Sequence, residues 1–175
     1  MNMKNVFQLL AEYNIQTDQD MIQIIDQLYP AKINQDVGAY YNSILGILNH
    51  MVLSIIYWVR RFAKYYPEIE PLLDDIPETP TASTADIVWS TMDDLKPIIA
   101  GLDQQIKRLV NELTEERYSD EIKYTSSKGG EGTMIAWKVL LHLFNHQTHN
   151  RGQIAIILDQ FGIKNDYSSI LWRGL

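Results

Sequence analysis

The strongest helical signal in this chain is the sequence SILGILNHMVLSIIYWVRRF, which runs from Ser43 to Phe62. Its apolar residues recur at spacings of three and four, the period of an α-helix that is buried along most of its length. The most apolar part contains Asn49 and His50 and is shorter than the roughly 20 apolar residues that a bilayer span requires. The sequence therefore predicts a core helix of a globular protein, within a helical segment Tyr40–Tyr66.

The rest of the chain contains three more segments with helical spacing, and no segment of comparable length alternates with period two. The three segments are Met3–Leu28, Ser83–Leu113 and Thr133–Phe161. Four long helices in 175 residues, 46% of them apolar, predict an all-α four-helix bundle. We expect it to form a single domain over residues 1–175, large enough to fold without disulfides or a structural metal.

Prolines mark the longest connection between the predicted helices. Four of the six prolines lie in PEIEPLLDDIPETP, residues 67–80, which cannot continue an α-helix and predicts one long crossover loop. After it, Ser83 and Asp86 resemble a capping box that opens the third helix. Within that helix, Pro97 predicts a kink or a break just before it.

The C-terminal third contains two further connections. Residues 119–132 are too short and polar for a larger sheet and suit a small hairpin or an extended loop. The glycines at 129 and 130 do not have the order of a phosphate-binding loop. Gly162 suits the end of the fourth helix. Three apolar residues of the tail are expected to pack back on the bundle: Ile170, Leu171 and Trp172.

The composition excludes several classes of function. The net charge of −7 and the pI near 5.0 repel polyphosphate surfaces, so we expect no nucleic-acid partner. Because the chain has no cysteine, thiolate nucleophiles, redox pairs and cysteine-ligated zinc are excluded. The N-terminus has Glu12 and Asn14 where a signal peptide would keep an apolar run. We therefore expect a cytoplasmic protein that does not enter a membrane.

All four histidines fall in two predicted helices, with His50 in the second and His142, His146 and His149 in the fourth. At 100° per residue, the three histidines of the fourth helix lie with Gln153 within about 60° on one face. Imidazoles four residues apart can converge on one divalent ion, and His50 is the only other histidine available as a ligand. The alternatives are a hydrogen-bonded core residue for His50 and acid–base work for the cluster.

Three segments of the chain resemble the DinB family, also described as DinB/YfiT-like proteins. They are LAEYN at 10–14, SILGILNHMVLSIIYWVRRF at 43–62 and HLFNHQTHNRGQ at 142–153. The resemblance extends over nearly the whole chain. It implies a four-helix bundle in an up-down-down-up arrangement with one long crossover, often paired as a homodimer. It also implies a Ni or Zn ion held between the second and fourth helices.

Carried over by position, the implied metal ligands are His50, His146 and Asn150. The family usually has a histidine where this chain has Asn150, and an amide oxygen binds Zn or Ni more weakly than an imidazole does. His149 is a candidate substitute, because a spacing of three from His146 also brings two imidazoles close together. The family often has an aspartate at the position of Ile55, so a carboxylate near the metal is missing here.

The resemblance implies an enzyme that uses this divalent metal on a small-molecule substrate. It would act either as a hydrolase with metal-activated water or as a transferase that uses a low-molecular-weight thiol. The alternative is a degenerate, non-catalytic DinB-like homodimer that binds a small ligand or a protein partner. Asn150 and Ile55 favour this alternative.

Three other residues of the family-like segments have structural interpretations. We interpret Arg151 as a residue that pairs with a carboxylate or a helix end. Tyr13 and Asn14 are interpreted as lining the mouth of a pocket, with packing in the core of the bundle as the alternative for Tyr13.

Overall fold

The computed structural model describes residues 2–79, 83–125 and 130–173. Its elements in chain order are α1 (Met3–Ile25), α2 (Pro30–Ile33), α3 (Ile44–Ala63), a 3₁₀-helix (Pro67–Asp75), α4 (Met92–Glu112), a 3₁₀-helix (Glu116–Ser119), β1 (Glu121–Thr125), β2 (Glu131–Ile135) and α5 (Ala136–Gln160). The four long helices form a bundle in which α1 and α3 each pack against both α4 and α5. The predicted all-α four-helix bundle is confirmed, and the small hairpin is an addition to it.

Helix α3 is the most deeply buried element of the bundle. Every residue from Ser43 to Ile56 is buried, so this part of the helix has no solvent-facing side. Its polar side chains, among them Asn49 and His50, therefore need hydrogen-bond partners inside the protein. Within the described ranges, no helix combines the length and the apolar character that crossing a bilayer requires.

The predicted bounds of this central helix, Tyr40 and Tyr66, are too wide at both ends. Asn42 has a φ of +63°, a left-handed conformation that a helix does not continue through. Ser43 is the N-cap instead, and its hydroxyl accepts a hydrogen bond from Gly46 N at 3.2 Å. The α-helix therefore spans Ile44–Ala63.

The predicted long crossover connects α3 to α4. The α-helix stops before Pro67, as expected, but residues Pro67–Asp75 form a 3₁₀-helix rather than an open loop. This helix buries Ile69 and Leu72 against the bundle. The crossover is therefore part of the core packing.

The predicted start of α4 at Ser83 is wrong. Thr91 is the N-cap, where its hydroxyl accepts from Asp94 N at 3.2 Å and donates to the Asp94 carboxylate at 2.7 Å. The expected break before Pro97 is also absent, because α4 is one helix from Met92 to Glu112 with Pro97 inside it. Proline at this position removes only the bond to a carbonyl of the first turn.

The predicted hairpin is present and is longer than expected. Strands β1 and β2 pair antiparallel, with Glu121 opposite Ile135. The pairing includes residues 133–135, so α5 begins at Ala136 and not at Thr133. Residues 126–129, which contain most of the glycine segment judged not to bind phosphate, lie outside the described residues. At the other end of α5, Gly162 has the expected left-handed φ of +77°.

The C-terminal tail packs on the bundle, although of the three apolar residues predicted to make this contact only Ile170 is half-buried. Tyr167 is buried, and its carbonyl oxygen accepts a hydrogen bond from the Tyr13 hydroxyl. Arg173 pairs with Asp20 of α1 at 2.9 Å. Leu171 and Trp172 are 73% and 82% exposed, so the prediction that they cover the bundle is wrong.

Candidate functional site

Two histidines from different helices meet inside the bundle. The Nε2 atoms of His50 on α3 and His146 on α5 are 2.9 Å apart, and their rings are nearly edge to face. We call these two residues the His pair. The structure thus brings together the two histidines that the sequence placed on separate helices and predicted as ligands of one ion.

The orientation of His50 is fixed by a backbone carbonyl. His50 Nδ1 lies 2.9 Å from the carbonyl oxygen of Thr84, in the segment that precedes α4. A carbonyl can only accept, so we assign the ring proton to Nδ1. The lone pair of Nε2 then lies toward His146 and the Tyr41 hydroxyl, where it can accept a proton or bind a metal ion.

Asn49 holds the Thr84 segment in place. Its side-chain oxygen accepts from the backbone N–H groups of Val88 and Trp89, each at 2.9 Å. Its amide nitrogen donates to the Trp89 carbonyl at 2.9 Å. These bonds explain why residues before Thr91 remain extended. They also mean that neighbouring residues of α3, Asn49 and His50, both bind the same crossing segment.

Tyr41 completes the site and was missed by the sequence analysis, which placed it inside a helix. Its ring stacks on His50 with centroids 4.0 Å apart, and its hydroxyl lies 3.0 Å from His50 Nε2. Gly46 makes this approach possible, since a Cβ there would lie 1.9 Å from the Tyr41 carbonyl oxygen. A glycine inside a buried apolar helix, one turn before His50, was the available signal.

Both members of the His pair are held in the neutral form. Burial lowers the pKa of His50, although the hydrogen bond to Thr84 opposes this shift. Burial, followed by the charges of His50, His142 and His149, lowers the pKa of His146 to about 4. Both imidazoles are therefore uncharged near neutral pH, the form that ligates metals and accepts protons.

Asn150 lies one turn after His146 and presents its nitrogen to it. The amide Nδ2 donates to the His146 carbonyl at 2.8 Å and lies 3.3 Å from both ring nitrogens. The backbone carbonyl only accepts, which fixes the amide in this orientation. The atom that faces the imidazole is thus a donor, whereas a metal would require the amide oxygen.

The other histidines of α5 lie outside the His pair. His149 is exposed, and its Nε2 contacts the Gln153 amide at 2.7 Å. His142 is also exposed, with its ring 5.7 Å from that of Trp58. The four residues predicted to share one helical face therefore divide between the buried site and the surface.

Arg151 points away from the His pair into a separate polar cluster. It forms an ion pair with Asp18 at 3.1 Å and a hydrogen bond to Asn14 at 2.5 Å. Asn14 in turn donates to Asp103 at 2.8 Å. We call these four residues the Arg151 cluster. Its contacts confirm the structural interpretation of Arg151 and place Asn14 in the core.

The donor set fits a divalent ion only in part. His50 and His146 offer two neutral imidazole nitrogens, and Tyr41 adds a phenolic oxygen beside them. Catalytic zinc sites usually have three protein ligands. Across residues 2–79, 83–125 and 130–173, no three histidine, aspartate or glutamate side chains are grouped to hold a metal. Ile55 is buried in the core, where a carboxylate ligand is absent.

Comparison with known proteins identifies the class. The sequence model that describes the DinB family matches residues 1–172, so the chain belongs to the DinB family. It is 21% identical over 154 residues to Protein DinB of Bacillus subtilis (strain 168), an alignment that covers 87% of this chain and 84% of that protein. The fold is similar to a crystal structure of a DinB-like protein from Bacillus cereus ATCC 10987, with a TM-score of 0.51 and 18% identity over 89% of this chain and 92% of that one.

Proposed function

We propose that this DinB-family chain is a metal-dependent enzyme whose divalent ion, Ni or Zn, is bound by His50 and His146. One observation supports the proposal most directly. The two Nε2 atoms lie 2.9 Å apart, and the Thr84 carbonyl directs the lone pair of His50 toward His146. A fixed second ring nitrogen is the usual way in which proteins orient a metal-binding imidazole.

A bound divalent ion would lower the pKa of a water molecule or of a low-molecular-weight thiol, which supports hydrolysis or thiol transfer. The side chains around it have separate tasks. His50 and His146 hold the ion as neutral ligands. The Tyr41 hydroxyl, stacked against His50, can donate a hydrogen bond to a small-molecule substrate or to its leaving group. Asn150 supports the orientation of the His146 ring.

A second candidate function is a degenerate DinB protein that binds a small ligand or a partner without a metal. It is favoured by the orientation of Asn150, whose amide nitrogen replaces a third imidazole with a hydrogen-bond donor. In that case the Tyr41–His50–His146 chain of hydrogen-bonding groups would recognise a polar ligand directly.

Metal content separates the two candidates. Protein purified without chelators or nickel resin should contain about one equivalent of metal per chain, or take it up on reconstitution. His50→Ala and His146→Ala should each abolish binding, whereas His149→Ala, which removes an exposed imidazole, should not. Less than about a tenth of an equivalent after reconstitution with Zn and Ni would reject the metal proposal and favour the second candidate.

A restored ligand tests the role of position 150. Asn150→His should raise metal affinity by about tenfold or more, because an imidazole replaces an amide one turn from His146. Asn150→Gln is the matched control, since it keeps the amide. Equal affinity in Asn150→His and in the parent chain would show that residue 150 does not face the ion.

Family resemblance adds a homodimer to the proposal. Light scattering at several protein concentrations should give twice the mass of the 20.3 kDa chain. A mass of one chain throughout would contradict the dimer without affecting the metal proposal.

A further inference from the structure

A second cleft lies at the opposite end of α3 from His50. It has a volume of about 640 Å³ and lies between the last turn of α3 and the β1–β2 hairpin. Arg61, one of its lining residues, follows His50 by eleven residues, or about 16 Å along the helix axis at 1.5 Å per residue. The cleft is therefore distinct from the His pair.

The cleft concentrates positive charge in an acidic protein. Arg61, Lys64 and Lys123 line it, against one carboxylate, Glu131. The chain as a whole has a net charge of −7. Neither Lys64 nor Lys123 forms an ion pair with any residue that the structure describes. Two lysines thus line the cleft, and no carboxylate among the described residues pairs with either ammonium group.

Helix capping does not explain this arrangement. Cations in the last turn of a helix interact favourably with its negative end, which accounts for Arg61 and Lys64. Lys123 lies on β1, where no helix dipole acts. Arg60, on the same turn as Arg61, is used differently, because it donates to the Pro77 carbonyl and the Thr79 hydroxyl of the crossover.

Aromatic contacts give the cleft a fixed wall. The Tyr65 hydroxyl donates to the Lys123 carbonyl at 2.5 Å and so connects β1 to the turn that follows α3. Tyr124 lies across its strand partner Gly132, where a Cβ would come within 2.7 Å of the ring. The Arg61 guanidinium lies 5.6 Å from the centre of the same ring. The cleft is preformed, with a flat tyrosine ring beside its cations.

We propose that this cleft binds a small ligand that combines a planar group with an oxyanion of at least two negative charges, either a phosphate ester or a polycarboxylate. The ammonium groups of Lys64 and Lys123 would contact the charged oxygens, since charge-assisted hydrogen bonds to oxyanions are the strong ones. Arg61, whose guanidinium already donates to the Tyr57 hydroxyl, would add positive charge beside them. The Tyr124 ring would stack on the planar part of the ligand. The proposal does not depend on a metal at the His pair.

The first test measures binding of two probes by calorimetry, phenyl phosphate for the phosphate esters and benzene-1,3,5-tricarboxylate for the polycarboxylates. At least one should bind saturably with a Kd of about 1 mM or tighter. Its affinity should fall several-fold as the ionic strength rises, because salt screens exposed charges. No saturation by either probe at about 20 mM would overturn the proposal.

Matched variants locate the binding. Lys123→Gln should lower the affinity for the probe about fivefold or more. Lys164→Gln, which removes the same charge from an exposed residue elsewhere, should leave the affinity unchanged. Equal loss in both variants would mean that only net charge matters and would overturn the site. His50→Ala should retain binding. Loss of binding in that variant would assign the probe to the His pair and likewise overturn the cleft.

Gly132→Ala tests the aromatic wall, because the new methyl group must displace the Tyr124 ring. We expect weaker binding of phenyl phosphate and unchanged binding of inorganic phosphate. An equal change for both probes would contradict the proposed stacking on Tyr124. Circular dichroism on each variant checks that the helical fold is retained.

Discussion

Adjacent residues of α5 enter two polar clusters of opposite character. Arg151 enters the Arg151 cluster, where side chains are almost completely buried and an ion pair is surrounded by hydrogen bonds. Asn150 borders the His pair, which has no charged member near neutral pH and is only partly buried at His146. The first cluster pairs its charges with one another, whereas the second is made of uncharged imidazoles.

The charge balance of the Arg151 cluster shows why it is structural. It contains two buried carboxylates and one guanidinium. Burial, together with the neighbouring Asp18 charge, raises the pKa of Asp103 well above its ordinary value. Burial raises the pKa of Asp18 as well, but the Arg151 guanidinium opposes that shift, so Asp18 is the carboxylate that pairs with the arginine. Apart from Arg151 Nε, the buried side-chain nitrogens and oxygens of these four residues all have partners. The difference teaches that a fully buried ion pair indicates a role in stability, whereas two adjacent neutral imidazoles at a partly buried position indicate binding.

The largest effect on stability is expected from a substitution that breaks the Arg151 cluster. Arg151→Met should lower the free energy of unfolding by about 3–5 kcal/mol, because it leaves the Asp18 charge buried without its partner. Chemical denaturation measures this loss. Asp103→Asn is the control and should change stability by no more than about 1 kcal/mol, since an amide keeps the shape of a carboxyl group whose charged form burial already disfavours. A loss below about 1 kcal/mol for Arg151→Met would contradict the structural role that distinguishes the Arg151 cluster from the His pair.

Gly46→Ala should disturb the other cluster through the backbone. The new Cβ would lie 1.9 Å from the Tyr41 carbonyl oxygen, so the loop must move away from α3. We expect a loss of about 2–3 kcal/mol, together with displacement of Tyr41 from the His50 ring, seen as changed His50 NMR shifts. Gly152→Ala is the matched control. Its Cβ would meet nothing within 4 Å, so it should stabilise α5 slightly. Equal stability of the two variants would show that the loop does not need Gly46.

The pH dependence of stability should sharpen the assignment of neutral imidazoles. His146 has an ordinary pKa of 6.5 and a folded pKa of about 4, so the unfolded chain binds its proton first as pH falls. The stabilisation is present above pH 6.5 and is lost as pH falls toward 4. Relative to His146→Gln, the parent chain should lose about 1–2 kcal/mol over this range, after allowance for solvent screening. Parallel unfolding curves for the two proteins would argue against a depressed pKa.

The smallest expected effect concerns the phenol beside the His pair. Tyr41→Phe keeps the ring stacked on His50 and removes only the hydroxyl group. We expect a loss of about 1 kcal/mol or less in unfolding free energy. Tyr40→Phe, at a neighbouring residue that is 86% exposed, should leave the free energy of unfolding unchanged. If both variants behave alike in unfolding and in metal or ligand affinity, Tyr41 belongs to packing and not to the site.

Much of this contrast was accessible from the sequence. The spacing of the apolar residues predicted the bundle, because a helix that buries one face repeats its apolar residues with the helical period. Arg151 was correctly separated from the histidines, since the helical angle between residues 142 and 151 places them on different sides. The convergence of His50 and His146 followed from their positions on two long helices, although their role as ligands stays a prediction.

The contacts that complete the His pair depend on tertiary structure. Two sequences, Ser83–Asp86 and Thr91–Asp94, have the spacing of a capping box, and local rules do not choose between them. The choice is made by Asn49, which binds the backbone at Val88 and Trp89 from another helix. For the same reason the approach of Tyr41 to His50 could not be read from propensity.

The oxygen that fixes the His50 ring belongs to the peptide main chain at Thr84. Every amino acid carries the same carbonyl group, so replacement of Thr84 by another residue leaves the acceptor itself in place. Insertions or deletions between this residue and Trp89 would remove it, because they change the register of the chain held by Asn49. Selection for this contact would therefore appear as a constant loop length, with no preference for any residue type at position 84.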